Sequence, residues 1–182
     1  MPTTVAIIGA GPLGRWLALA AASAGFRVLL EDVMPNNLHH AQELLRQQLS
    51  PAALPAVAFV STIEDAVHDA DLVIDCVPDE LESKLEIFWL LDRMAPPRTV
   101  FATPTTRLSI ADLANCTYRP AQCIALALEA SALAANSGDA ILLRTAPQTS
   151  PETVALLDQF CRRLGFIPTF EPDPGGQPTR TV

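Results

Sequence analysis

Basic residues are scarce in this chain. Its 182 residues carry 12 Lys and Arg against 20 Asp and Glu, a formal charge of −8. Binding a nucleic-acid backbone takes a stripe of cations, and so does docking on an anionic membrane, so this balance argues against both. Long apolar runs are missing too. The best, over residues 16–22, follows Arg15 and is broken by Ser23, well short of the roughly 18 residues that span a bilayer. The opening MPTTVAIIGAG lacks the basic segment of a secretion signal and runs straight into a strand pattern. Paired cysteine motifs are absent. Cys76, Cys116, Cys123 and Cys161 form no CxxC, and the three histidines do not stand at metal-ligand spacing from them. Reduced thiols, a cytoplasmic location and no metal are therefore expected. Charged residues make up only 18% of the chain and apolar residues 49%. That composition supports a buried core and excludes a disordered chain.

What is present is an alternation of strands and helices. Short apolar runs predict strands over 5–8, 27–32, 57–60, 72–77, 99–102, 122–128, 140–143 and 166–170. Helical composition and periodicity predict helices over 13–24, 37–49, 62–68, 80–94, 109–114 and 150–164. Thr62 is placed to cap one helix, and Pro151 takes the favoured first position of another. Strands that are apolar on both faces, separated by helices, imply an α/β fold. The expected architecture is a doubly wound, mostly parallel, Rossmann-like sheet in a single domain. The spacing predicts a dinucleotide-binding domain over residues 1–170. The Pro- and Gly-rich stretch 171–182 reads as a flexible tail.

Gly9-Ala10-Gly11-Pro12-Leu13-Gly14 is a GxGxxG motif. Alone it is a weak signal, but here a strand precedes it, a helix follows, and a second strand ends in Glu31-Asp32. Gly9 allows a tight turn, Gly11 lets the backbone approach a pyrophosphate, and Gly14 lets helix and strand pack closely. The helix N-terminus at Pro12 and Leu13 offers free N–H groups to phosphate. Asp32 would accept hydrogen bonds from the adenosine ribose and repel a 2′-phosphate, which points to NAD rather than NADP. The alternative is a ligand-free glycine turn with Glu31-Asp32 as a solvated strand end.

At this point the chain resembles a family. VAIIGAGPLGRWLALAAASAGFRVLLEDV, DADLVIDCVPDELESK, ATPTTRLSIADLA, RPAQCIALAL and TSPETVALLDQFCRRLGFIP are similar, in order and spacing, to the NAD-binding domain of the L-3-hydroxyacyl-CoA dehydrogenases. The resemblance covers nearly the whole chain. It implies that Asp79 and Lys84 lie beside the cofactor riboses, and that the backbone at Cys76 and Val77 passes under the cofactor. It implies that Thr106 stands where the family's N-T-S-S segment presents a serine to substrate and nicotinamide. It also implies a place in fatty acid metabolism. Without the resemblance, surface charge at a helix start is an equal alternative for Asp79 and Lys84, and Cys76 reads as a packing residue.

The same resemblance exposes departures. The family's general base is the histidine of an H-F-F-N-P segment, which here reads Ala127-Leu128-Glu129-Ala130-Ser131. The histidine position is Ala127. The glutamate that orients the histidine falls among Ile141, Leu142 and Leu143. Losing a general base costs about 10²–10⁴ in rate. Glu129 is the one titratable group near the gap, and Thr106 keeps a hydroxyl. The alternative for Glu129 is a strand-end charge in water. The family's helical C-terminal domain has no counterpart in these 182 residues. Three functions are then open. One is an NAD(H)-binding protein without the family's chemistry. Another is an active oxidoreductase on a hydroxyacyl substrate, with acyl-CoA as ligand and an altered site or a second protein chain completing it. The last is an interaction module that binds no dinucleotide.

Overall fold

The computed structural model describes residues 3–128 and 138–174. Eight strands form one sheet: β1 (Thr4–Ile8), β2 (Arg27–Glu31), β3 (Val57–Val60), β4 (Leu72–Asp75), β5 (Val100–Pro104), β6 (Cys123–Leu126), β7 (Ala140–Thr145) and β8 (Ile167–Pro172). Their order across the sheet is β3-β2-β1-β4-β5-β6-β7-β8. All neighbours pair in parallel except β6 and β7. Among the described residues six α-helices connect them: α1 (Pro12–Ser23), α2 (Pro35–Gln48), α3 (Ile63–Val67), α4 (Leu81–Met94), α5 (Ile110–Asn115) and α6 (Pro151–Arg163).

The period-two alternation of side chains along a strand sorts the core into two layers. Val5, Ile7, Val28, Leu30, Leu72 and Ile74 pack on one face against α1, α2 and α6. Ala6, Ile8, Val73 and Phe101 pack on the other against α3, α4 and α5. The sheet is therefore covered on both sides, as expected for strands apolar on both faces. Helix ends follow local chemistry. The hydroxyls of Thr62, Ser109 and Ser150 accept from the backbone N–H three residues on and cap α3, α5 and α6. Among the described residues no helix is long and apolar enough to cross a membrane.

Several boundaries differ from the sequence reading. β4 stops at Asp75 rather than at residue 77, because the Val77 N–H turns back to the Asp75 carboxylate (3.1 Å). β6 ends at Leu126, two residues short of the expected end. The expected domain boundary at residue 170 falls inside β8, and the chain beyond it stays anchored. The Asp173 carboxylate accepts from the Ser109 hydroxyl (2.6 Å) and the Ala111 N–H (3.0 Å) at the start of α5. A flexible tail beginning at 171 is thus corrected at its first three residues. Glu129 lies outside the described residues.

Candidate functional site

A crevice of about 890 Å³ opens beyond the carboxyl ends of β1, β2 and β4. This is where the strand order reverses, since β1 has β2 on one side and β4 on the other. Ligands of open α/β sheets bind at such switch points. Its walls include Gly9, Gly11, Pro12, Leu13, Glu31, Asp32, Cys76, Val77 and Asp79, together with Ile63, Ile87, Pro104 and Arg107.

The glycine loop is shaped by close contacts. A Cβ at Gly14 would lie 1.9 Å from the Gly9 carbonyl oxygen, so α1 can start this near β1 only with glycine there. Gly9 has φ +100° and sits under the Cys76 backbone. A Cβ at Gly11 would meet nothing within 4 Å. Gly11 is instead the point where bare backbone faces the crevice. No side chain caps α1, and Pro12 holds its first position. The N–H groups of its first turn therefore remain aimed at the crevice with the helix's partial positive charge behind them.

Asp32 is held rigidly. Its carboxylate accepts from the Ala10 N–H (2.8 Å), the Met34 N–H (2.8 Å) and the Asn37 amide (3.0 Å). A carboxylate offers about four acceptor positions, which leaves one for a ligand hydroxyl. Glu31 beside it is buried, and burial together with the charge of Asp32 pushes its carboxyl up to about 7. Farther along, Asp79 has one buried carboxylate oxygen, Oδ1, with no hydrogen-bond partner among the described residues. Its other oxygen lies 3.7 Å from the Arg107 guanidinium, which also donates to the Asp79 carbonyl (2.8 Å). These features fit a dinucleotide: an open backbone cradle for phosphates, an oriented acid for one ribose and an orphaned acid oxygen for the other.

Lys84 is placed differently from the sequence expectation. It is fully buried under the crevice floor rather than on its wall. Its ammonium lies 3.3 Å from the Asp75 carboxylate and donates to the Asp75 and Val77 carbonyls (3.4 and 3.3 Å). The Thr103 hydroxyl donates to the same carboxylate (3.2 Å). Burial raises the Asp75 carboxyl above its ordinary range, against the opposing pull of Lys84. A lysine can be buried here because these oxygens surround it. The Cys76 thiol is held protonated by burial and by the Asp75 charge, so it lines the crevice as packing rather than as a nucleophile.

The far end of the crevice holds other chemistry. Pro104 and Arg107 form the wall there, and Thr106 contributes its carbonyl to a bond from the Arg144 guanidinium (3.1 Å). Ala127 and Leu142, where the resemblance puts a general base and one of the positions for its partner, are joined by backbone alone, with the Ala127 N–H donating to the Leu142 carbonyl (2.8 Å). Neither side chain can carry a proton. Ile63, Ile87, Asn37 and Arg107 are wall or support residues that the sequence motifs do not mark.

Comparison with known proteins agrees with this architecture. The sequence model of the family "3-hydroxyacyl-CoA dehydrogenase, NAD binding domain" matches residues 4–170. A probable 3-hydroxybutyryl-CoA dehydrogenase of Bacillus subtilis is 33% identical over 135 residues, covering 67% of this chain and 47% of that protein. The mitochondrial hydroxyacyl-coenzyme A dehydrogenase of Rattus norvegicus is 30% identical over 182 residues, covering 90% and 57%. The chain thus spans about half the length of the curated relatives it matches. The crystal structure of (S)-3-hydroxybutyryl-CoA dehydrogenase from Ralstonia eutropha shares the fold, with a TM-score of 0.86 at 23% identity, covering 97% of this chain and 65% of that one. The chain belongs to the 3-hydroxyacyl-CoA dehydrogenase family, of which it carries the NAD-binding domain.

Proposed function

We propose that the crevice binds NAD(H), and that the side chains of these 182 residues do not supply the acid–base chemistry of the family's reaction. The contrast between the glycine loop and the ends of β6 and β7 carries this reading. Gly11 and the uncapped start of α1 leave open backbone where a pyrophosphate would sit, while the resemblance puts Ala127 at the position of the general base and Ile141, Leu142 and Leu143 at those of its partner.

Each residue has a task in this reading. First-turn N–H groups of α1 bind the phosphates. Asp32, oriented by its three donors, receives the adenosine ribose. Asp79 Oδ1 accepts from the second ribose. Lys84 acts as a positioning residue from below, tying the end of β4 and the Val77 carbonyl to Asp75. The apolar walls exclude water from the ring that gives or takes a hydride when the cofactor is bound. Acyl-CoA, as a ligand or as the substrate of a completed assembly, belongs to the same proposal, as does a second protein chain supplying a base.

The test has two arms. NADH titration followed by its fluorescence should saturate; absence of binding overturns the first half and favours an interaction module. Acetoacetyl-CoA reduction at high protein concentration should show no turnover near the ordinary kcat range of about 1–10³ s⁻¹. Turnover in that range overturns the second half and restores the reading as an oxidoreductase with an altered site.

A further inference from the structure

Glu31 is a buried acid without a structural task. It ends β2, and the alternation that sends Val28 and Leu30 into the core under α1 and α2 turns Glu31 to the opposite face. Its backbone carbonyl accepts from the Gly9 N–H (2.9 Å), but its carboxyl has no hydrogen-bond partner among the described residues. It is only 5% exposed, and it forms part of the crevice wall beside Ile8, Ile63, Val77 and Ile87. With no protein partner, the bonding capacity of this carboxyl is open to whatever occupies the crevice. Asp32, one residue on, differs in that three protein donors already hold it.

The two neighbours therefore have separate roles if a dinucleotide occupies the crevice. A ribose on Asp32 sends its attached base onto the adjoining apolar walls, and the carboxyl among those walls is that of Glu31. We infer that Glu31 is a specificity-determining residue that reads the amino edge of the base, accepting from the exocyclic amine of an aminopurine and donating to the neighbouring ring nitrogen. A neutral carboxyl presents one acceptor and one donor in a plane, which matches that edge. Burial and the Asp32 charge keep the neutral form available near pH 7. The inference rests on the dinucleotide reading above and adds to it which base the crevice selects.

The test compares NADH with the same reduced dinucleotide carrying unsubstituted purine, which keeps the ring nitrogen and lacks the amine. Dissociation constants are measured for the unaltered chain, Glu31→Gln, Glu31→Leu and Glu31→Met. The unaltered chain should prefer NADH by about tenfold, the effect of leaving one buried acceptor unsatisfied. Glu31→Gln, whose amide also offers one acceptor and one donor, should keep that preference. Glu31→Leu and Glu31→Met should bind the two dinucleotides within about twofold of each other, the double-mutant signature of a lost pair. An unaltered chain with no preference for the amine overturns the inference, and so does an apolar variant that keeps the full preference. Failure of the unaltered chain to bind either dinucleotide overturns the underlying reading as well, which separates the two failures.

Discussion

The two ends of the crevice stand on the same sheet and differ in what their strand ends carry. At the β1–β2 end the chain delivers Gly9, Gly11, Glu31 and Asp32, and the acid at 32 is fixed by three donors. At the β6–β7 end β6 stops at Leu126, and just beyond it the Ala127 N–H meets the Leu142 carbonyl between two side chains that cannot ionise. Backbone pairing builds the platform at both ends, and side chains decide whether the platform can do chemistry.

That comparison can be broken or sharpened in graded steps. The largest effect is expected at the floor beneath both ends. Lys84→Met leaves the Asp75 carboxyl buried without its cation, and removing one partner of a buried pair costs about 3–5 kcal/mol. Chemical denaturation at pH 7.5 should show that loss. Without Lys84 the folded-state acid rises still further above its unfolded value. Stability is then retained at low pH and lost as pH rises through the folded value, so the deficit should shrink on acidification. An unchanged deficit at pH 5 would contradict this assignment.

Gly14→Val disturbs one end alone. Its Cβ would fall 1.9 Å from the Gly9 oxygen, and overpacking of this kind costs about 1–3 kcal/mol. The melting temperature should drop and NADH affinity with it. Asp32→Ala removes the acceptor of three hydrogen bonds. NADH should bind about ten- to a hundredfold more weakly, in line with the worth of charge-assisted bonds. The preference for NADH over NADPH should narrow too, and a widened preference would refute the role of Asp32.

A smaller effect concerns pH. The Glu31 carboxyl, pushed up to about 7, keeps its proton in the folded chain where the unfolded chain has lost it. NADH affinity should therefore fall as pH rises through about 7, while Glu31→Gln should stay flat over that interval. Other ionisable groups near Glu31 are Asp32 on the same strand end, Glu64 and Asp65 in the first turn of α3, Cys76 after β4, and Asp79 with Arg107 across the crevice. The Gln variant isolates Glu31 from these. The smallest effect is expected at the β6–β7 end. Ala127→His should give no measurable acetoacetyl-CoA reduction, because Ile141, Leu142 and Leu143 offer no acid to orient it. It should change NADH affinity by no more than about twofold, as for substitutions away from special features.

Much of this was legible from residue order. The β3 run 57–60 coincides with the observed strand, and the capping hydroxyls at Thr62, Ser109 and Ser150 mark three helix starts. Such signals are local, carried by neighbours a few residues apart. The burial of Lys84 is not local. It depends on Asp75 and Thr103, which belong to adjacent strands and meet the lysine only once the sheet has assembled. Two hints existed: an acid interrupting an apolar strand at 75, and a lysine in register with Phe88 and Leu91 on the buried stripe of α4. The Asp79–Arg107 contact joins positions 28 residues apart and has no periodic trace in the sequence. The anchoring of Asp173 is likewise long-range, 64 residues from Ser109, and has no trace in the local composition.

Lys84 is the chain's single lysine, and its side chain has no exposed surface. Acylating reagents that modify surface lysines would find no side-chain amine on the folded molecule. Their reaction at position 84 would instead time how often the floor of the crevice opens, and a ligand that holds the floor shut would slow that clock.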